Sequence, residues 1–207
     1  MVTGNGVWGV ARALGALAVL LFIGGCTATS EVRNMDTGQV VGGATRPSVY
    51  VASPLGFAES TRTFYAQELL ATIRQAGLDT IDPWVLTPQT LIDGVLSMPY
   101  GEQRRQAWRD LNLIIGKNNR DGIDRSSGIV AVLDGSDVDS GTASEIGYAF
   151  GVGKRIVGYR GDFRLSADNE GSIVNLQVEY WIRASGGEIV TRLKDLPDAL
   201  RSAFIGR

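Results

Sequence analysis

The sequence predicts a domain of the α/β class, a three-layer sandwich in which helices flank a mostly parallel five-stranded sheet. Short apolar runs alternate with longer amphipathic segments along residues 48–207, and such alternation is typical of parallel sheets joined by crossover helices. The run 128–133 is apolar throughout, as in a strand that is buried on both faces. Residues 48–207 are also numerous enough to bury the core of one domain.

The first half of this domain is predicted in order from these apolar runs. A strand over 48–52 precedes a helix over about 60–76, which Gly77 ends because glycine readily adopts the C-cap conformation. A second strand falls near 78–81. A long connection marked by prolines covers 82–100, and such connections are often functional. A helix follows from about 102 to 117, and one of its faces carries the apolar residues Trp108, Leu111 and Ile115.

The second half predicts three further strands, over 128–133, 155–159 and 188–190. The intervening helices cover 142–152, with Ser140 or Thr142 as N-cap, and 173–184. A last helix lies near 196–204. This order predicts a flavodoxin- or Rossmann-like arrangement, in which ligands bind at the carboxyl ends of the strands.

Residues 1–47 have the composition of a leader and a linker. Arg12 precedes an almost continuously apolar run over 13–23, which is shorter than the roughly 20 residues of a membrane span. The sequence IGGC, ending at the only cysteine, Cys26, resembles a bacterial lipobox. It implies a signal peptide over 1–25, a lipid anchor on the extracytoplasmic face of the membrane and a flexible tether over 26–47. If translation starts instead at Met35, the protein is cytoplasmic.

The composition excludes several kinds of chemistry. The chain has no histidine and a single cysteine, so Ser-His-Asp catalysis, Cys-His catalysis and histidine-ligated metal sites are excluded. The formal net charge is −2 without a basic stripe, which gives nucleic-acid binding little support. A small, neutral or singly charged ligand fits better, and we expect no metal or organic cofactor.

The stretch DGSDVDSGTASEIG, residues 134–147, is the best candidate for a functional site. It places carboxylates around a strand-to-helix turn and Glu145 near the start of the following helix, whose N-terminus favours an ionised carboxylate by about 0.3–1 kcal/mol. Such a carboxylate can attack the anomeric carbon of a sugar. Gly141 leaves room for a sugar beside the backbone. A solvated Glu145 that only complements the helix dipole is the alternative.

The pattern D-G-x-x-x-D-x-G-[ST]-A-x-E-I-G after an apolar strand resembles the nucleoside 2-deoxyribosyltransferases, as do the weaker flanking segments YVASP from Tyr50 and NL at 175–176. The resemblance implies that Glu145 is the nucleophile, that Tyr50 lies near it and that Asp139 and Asn175 hold the sugar hydroxyls. Asn175 would reach in from a neighbouring subunit, which implies a homo-oligomer. Asp134 would orient Glu145 or bind the ligand, although Asp134 and Asn175 also suit turn and cap positions.

One position departs from the family pattern. The aspartate expected to protonate the leaving base falls at Asn119, which cannot act as an acid. Asp121 replaces it if the end of the helix is shifted, and Asp124 is a further candidate. The family often carries methionine at the position of Gln177. These departures concern base specificity more than the fold or the nucleophile.

Three functions therefore stay open from the sequence. The first is transfer of 2-deoxyribose between nucleobases through a covalent glycosyl-glutamate. The second is hydrolysis of the N-glycosidic bond of nucleosides or nucleoside monophosphates. The third is nucleoside binding without catalysis by an envelope lipoprotein. In each, the partner is a small nucleoside or nucleotide.

Overall fold

The computed structural model describes residues 45–206. The predicted signal peptide, the Cys26 anchor, the alternative start at Met35 and most of the tether lie outside these residues. Between residues 45 and 206, the helices lack either the length or the apolar character that a membrane span requires.

A five-stranded parallel sheet forms the centre of the described part. Its strands are β1 (Ser48–Ala52), β2 (Asp79–Ile81), β3 (Gly128–Val132), β4 (Arg155–Tyr159) and β5 (Ile189–Val190). They lie in the order β2-β1-β3-β4-β5, and each neighbouring pair is parallel. The predicted α/β class is confirmed. The chain continues from β1 to β2 on one side and then crosses to β3 on the other side of β1. The carboxyl ends of β1 and β3 therefore form a switch point, where ligands commonly bind.

Helices cover both faces of this sheet. They are α1 (Glu59–Thr63), α2 (Leu70–Gln75), α3 (Gln89–Leu96), α4 (Glu102–Arg125), α5 (Ser140–Gly151), α6 (Leu176–Ala184) and α7 (Leu196–Phe204). A π-helical segment, Phe64–Leu69, joins α1 to α2. The core has two halves because side chains alternate along a strand. Val49 and Val51 pack on the side of α2 and α7, whereas Tyr50 and Ala52 pack on the side of α5 and α6.

Two predictions for residues 82–125 were wrong. The connection 82–100 contains a 3-10 turn, Pro83–Val85, and the helix α3. Helix α4 continues to Arg125 instead of ending at 117. Asparagine and glycine in this last stretch have poor helix propensity, yet Gly122 and Ile123 are buried. A Cβ on Gly122 would lie 3.1 Å from the ring of Tyr50, so tertiary packing overrides local preference here.

Two predicted helix starts were also wrong. Asp139, rather than Ser140 or Thr142, is the N-cap of α5, and its carboxylate accepts a hydrogen bond from the Thr142 amide. Helix α6 begins at Leu176 instead of 173, because the side chain of Asn175 caps it.

Candidate active site

Helix α5 carries Glu145 to the carboxyl edge of the sheet. Asp139 holds the first turn of the helix through hydrogen bonds from the backbone amide of Thr142 at 3.0 Å and from its hydroxyl at 3.3 Å. Both bonds use Asp139 Oδ2, and within residues 45–206 Oδ1 accepts none. One turn further on, Glu145 points into a cavity at the switch point between β1 and β3.

The hydroxyl of Tyr50 orients the carboxylate of Glu145. Tyr50 is fully buried in β1, and its Oη donates to Glu145 Oε1 at 2.6 Å. Asn119 on α4 approaches the same oxygen with Nδ2 at 3.5 Å. Within residues 45–206, Oε2 accepts no hydrogen bond, so this oxygen is available to a ligand.

The pKa of Glu145 is raised to about 6, chiefly because burial penalises the ionised form. The hydrogen bond from Tyr50 lowers this pKa, while the charge of Asp139 raises it. The carboxylate is therefore mostly ionised at neutral pH although it is held in a poorly solvated place. A shifted pKa in a cleft is a frequent property of catalytic groups.

The cavity has a volume of about 280 Å³ and is lined by both polar and apolar side chains. Polar lining residues directly follow β1 and lie on α4 and at the start of α5, and the other lining residues are mostly aromatic or aliphatic. The lining comprises Ser53, Phe57, Pro83, Trp84, Thr87, Ile92, Ile115, Asn119, Asp139, Gly141, Thr142 and Glu145. A mostly apolar pocket with a few convergent polar groups is typical of a small-molecule site.

Trp84 and Phe57 form the aromatic wall of this cavity. Their rings meet edge to face, with centroids 4.7 Å apart. Gly56 makes room for the indole, since a Cβ at Gly56 would lie only 2.2 Å from Trp84 Cε2. Both rings are partly open to solvent, with Phe57 72% exposed and Trp84 37% exposed, so a flat ligand can reach them.

The structure brings together five of the predicted site residues. Four of them line the cavity, namely Asn119, Asp139, Gly141 and Glu145. The fifth, Tyr50, donates a hydrogen bond to Glu145. They come from a strand and two helices that are distant along the chain. These residues therefore meet at one edge of the sheet, as the order of strands and helices predicts.

Asp121 is not part of the cavity lining. It forms ion pairs with Lys117 and Arg120, each at 2.6 Å, and these cations lower its pKa. Two residues along a helix correspond to about 200° of rotation, so Asp121 faces away from the side of α4 that carries Asn119. A carboxylate in this setting is poorly suited to act as an acid. Asp124 also lies outside the lining and accepts a hydrogen bond from Tyr148 at 2.7 Å.

Asp134 and Asn175 make structural contacts in the single chain. Asp134 accepts a hydrogen bond from the amide of Asp162 at 2.8 Å, which joins the loops after β3 and β4. Asn175 accepts from the amides of Gln177 at 3.0 Å and Val178 at 3.4 Å. Neither lines the cavity.

Most of the apolar wall was not predicted from the sequence. Phe57, Trp84, Ile92 and Ile115 come from three separate segments, and none belongs to a motif. The proline-marked connection 82–100 was the available signal, because Pro83, Trp84, Thr87 and Ile92 all lie within it. Between residues 45 and 206, no group of three or more acidic or sulfur side chains is arranged to hold a metal ion.

Comparison with known proteins identifies the family. The family model of nucleoside 2-deoxyribosyltransferases matches residues 49–177, more than half of the chain. The chain belongs to the nucleoside 2-deoxyribosyltransferase family. This membership supports a function of the nucleoside deoxyribosyltransferase or N-glycosidase type, acting on nucleoside substrates. No curated protein is similar enough to count as a match.

Several solved structures are similar to this one. A conserved protein from Enterococcus faecalis V583 superimposes with a TM-score of 0.52 at 23% identity, covering 76% of this chain and 98% of that one. A 2-deoxyribosyltransferase from Bacillus psychrosaccharolyticus gives a TM-score of 0.48 at 19% identity, covering 73% and 90%. A CMP N-glycosidase from Clostridium botulinum gives 0.45 at 17% identity, covering 75% and 98%.

Proposed function

We propose that this family member cleaves the N-glycosidic bond of a 2'-deoxynucleoside with Glu145 as nucleophile and passes the sugar to another nucleobase. The observation that carries the proposal is the state of the Glu145 carboxylate. Glu145 lines a mostly apolar cavity, and its Oε1 accepts a hydrogen bond from Tyr50 at 2.6 Å. Its Oε2 is free of hydrogen bonds within residues 45–206.

The proposed reaction consists of two displacements at the anomeric carbon. Glu145 Oε2 forms a bond to this carbon while the bond to the base nitrogen breaks, and the electron pair leaves with the base. A ring nitrogen of a second base then attacks the same carbon and expels the carboxylate. The first base takes up a proton from solvent and the second base releases one, so the exchange is balanced. Each step inverts the configuration, so the product retains that of the substrate. Water in place of the second base would give free deoxyribose.

The lining supports distinct places for the sugar and the base. Asp139 Oδ2 is occupied by the cap of α5, which leaves Oδ1 to accept a hydrogen bond from a sugar hydroxyl. Phe57 and Trp84 are nearly perpendicular to each other, and the face of either ring is an apolar surface of the kind on which a nucleobase stacks. A cavity of about 280 Å³ is small, which suits an enzyme that releases one base before it binds the next.

The test is to incubate the purified protein with a 2'-deoxynucleoside and a different free base, and to separate the products by chromatography. The matched variants are Glu145→Gln and, as a control, Glu59→Gln at an exposed position of α1. We expect the exchanged nucleoside with wild type and Glu59→Gln but not with Glu145→Gln. Free base and deoxyribose alone would identify a hydrolase. No product that depends on Glu145 would overturn the proposal and favour a binding protein.

We also propose that Cys26 anchors the protein to the membrane through a lipid. The support is the IGGC sequence and the absence of any other cysteine from the chain. In a bacterial host, we expect the full chain in the membrane fraction and the Cys26→Ser variant outside it. Wild-type protein in the soluble cytoplasmic fraction would favour translation from Met35.

A further inference from the structure

The helix that follows β1 is irregular at one place. The π-helical segment Phe64–Leu69 interrupts it between α1 and α2. Short π-helical segments are rare and are frequently found at functional sites. This one contains Tyr65, which is only 4% exposed and has its ring in the core.

Tyr65 is linked to the wall of the cavity through Asp82. The Tyr65 hydroxyl donates to Asp82 Oδ1 at 2.7 Å, and the same oxygen accepts from the Trp84 amide at 3.0 Å. Asp82 is thereby the N-cap of the 3-10 turn Pro83–Val85. Burial and the neighbouring carboxylate raise the pKa of Tyr65, so its hydroxyl stays protonated and keeps donating.

The π-helical segment allows this contact without loss of core packing. In a regular α-helix, residues five apart, such as Tyr65 and Leu70, lie about 140° apart around the axis. The wider π turn, with i to i+5 hydrogen bonds, brings such residues towards one face. Both Tyr65 and Leu70 are 4% exposed here. The irregularity thus directs Tyr65 towards Asp82 while α2 still packs on the sheet.

We propose that Tyr65 is a positioning residue for the nucleobase. Through Asp82, Tyr65 keeps the Trp84 ring packed against Gly56 and Phe57. The inference rests on the proposed function, because the base is taken to stack on this wall. Tyr65 itself does not line the cavity. It therefore acts through Trp84, and its removal affects binding of the base rather than the displacement at the sugar.

The first measurement compares the kinetics of Tyr65→Phe with those of wild type. Loss of one buried hydrogen bond is expected to raise KM for the deoxynucleoside about three- to tenfold and to leave kcat within about twofold. The matched control is Tyr159→Phe, since Tyr159 is also buried in the same half of the core and lies outside the cavity lining. Its KM is expected to stay at the wild-type value.

A second measurement needs no turnover. Acrylamide quenching of tryptophan fluorescence reports how accessible an indole is to solvent. Subtracting the signal of the Trp84→Phe protein isolates Trp84, whose accessibility increases when its ring is held less firmly. We expect Tyr65→Phe to increase quenching of Trp84, and Tyr159→Phe to leave it unchanged. Asp82→Asn keeps an oxygen that can accept both hydrogen bonds. We therefore expect acrylamide to quench Trp84 less in Asp82→Asn than in Asp82→Ala.

The two measurements separate the two proposals. If wild type has no Glu145-dependent activity, the proposed function fails, and quenching still tests the link from Tyr65 to Trp84. If wild type is active but Tyr65→Phe changes neither KM nor quenching, the inference is overturned. The inference is also overturned if Tyr65→Phe lowers kcat and thermal stability together while Trp84 in Asp82→Ala is quenched as in wild type.

Discussion

At the scale of single residues, Glu145 is under three opposing influences. Burial and the charge of Asp139 favour its neutral form, whereas the hydrogen bond from Tyr50 favours the carboxylate. The net result is a pKa of about 6. The group is thus ionised at neutral pH but close enough to its pKa to respond to small changes around it.

The pH dependence of kcat/KM follows from this balance. Because the proposed nucleophile is the ionised form of Glu145, we expect activity to fall as the pH decreases through about 6. In Tyr50→Phe, the hydrogen bond that lowers the pKa is lost, so this acid limb moves to higher pH. The exposed Tyr180→Phe serves as control. Identical acid limbs in wild type and Tyr50→Phe would contradict the assignment.

The same pKa shift affects the stability of the protein. The unfolded carboxyl titrates near 4.5 and the folded one near 6, so above pH 6 the folded state holds an unfavourable charge worth about 2 kcal/mol. We expect Glu145→Gln to be more stable than wild type at pH 8. The advantage should shrink as the pH falls from 6 towards 4.5, as measured by urea unfolding. A difference that does not vary with pH would rule out this explanation.

At the scale of elements, the residue that caps the start of α5 also lines the cavity. Asp139 caps the helix with one oxygen and lines the cavity beside Glu145. One side chain therefore stabilises the helix that carries Glu145 and adjusts the charge around this carboxylate. Asparagine preserves the cap and removes the charge, so the two roles can be separated.

We expect Asp139→Ala to lose about 0.5–2 kcal/mol of unfolding free energy, because the amide of Thr142 loses its cap. Asp139→Asn should keep most of this stability. In Asp139→Asn the acid limb of activity should also move to lower pH, since the charge of Asp139 raises the pKa of Glu145. Urea unfolding at pH 8 and pH profiles measure the two effects. Equal destabilisation by Ala and Asn would argue against the cap.

At the scale of the whole molecule, Arg160 joins two loops at the carboxyl edge of the sheet. It is 1% exposed at the end of β4. Its guanidinium donates to the carbonyl oxygens of Leu133, Gly135 and Arg164. These carbonyls belong to the loops after β3 and β4, so the side chain holds together the region from which α5 begins.

Arg160→Lys is expected to reduce the free energy of unfolding by about 2–4 kcal/mol, because one ammonium group cannot span the three carbonyls. Arg192→Lys is the control, since Arg192 forms an exposed pair with Asp195 and such pairs contribute about 0–1 kcal/mol. Urea unfolding measures both. Similar values for the two variants would show that Arg160 is not needed to join the loops.

The sequence was sufficient where the signal is local. The strands β1 and β4 and the helix α7 lie at their predicted bounds, because apolar runs and helix ends are encoded by neighbouring residues. Glu145, Asp139 and Gly141 also lie together at the cavity, because they share one turn and the helix after it. Periodicity also predicted the parallel sheet, and the sheet implied that its carboxyl edge is the site.

Only the tertiary structure decided how residues from separate segments meet. It extended α4 through poor helix formers, placed Asn119 at 3.5 Å from Glu145 and directed Asp121 to Lys117 and Arg120. It also assembled the apolar wall around Trp84 and linked Tyr65 to Asp82. The physical reason is that these features depend on packing between elements far apart in the chain, where burial and side-chain hydrogen bonds outweigh local propensity.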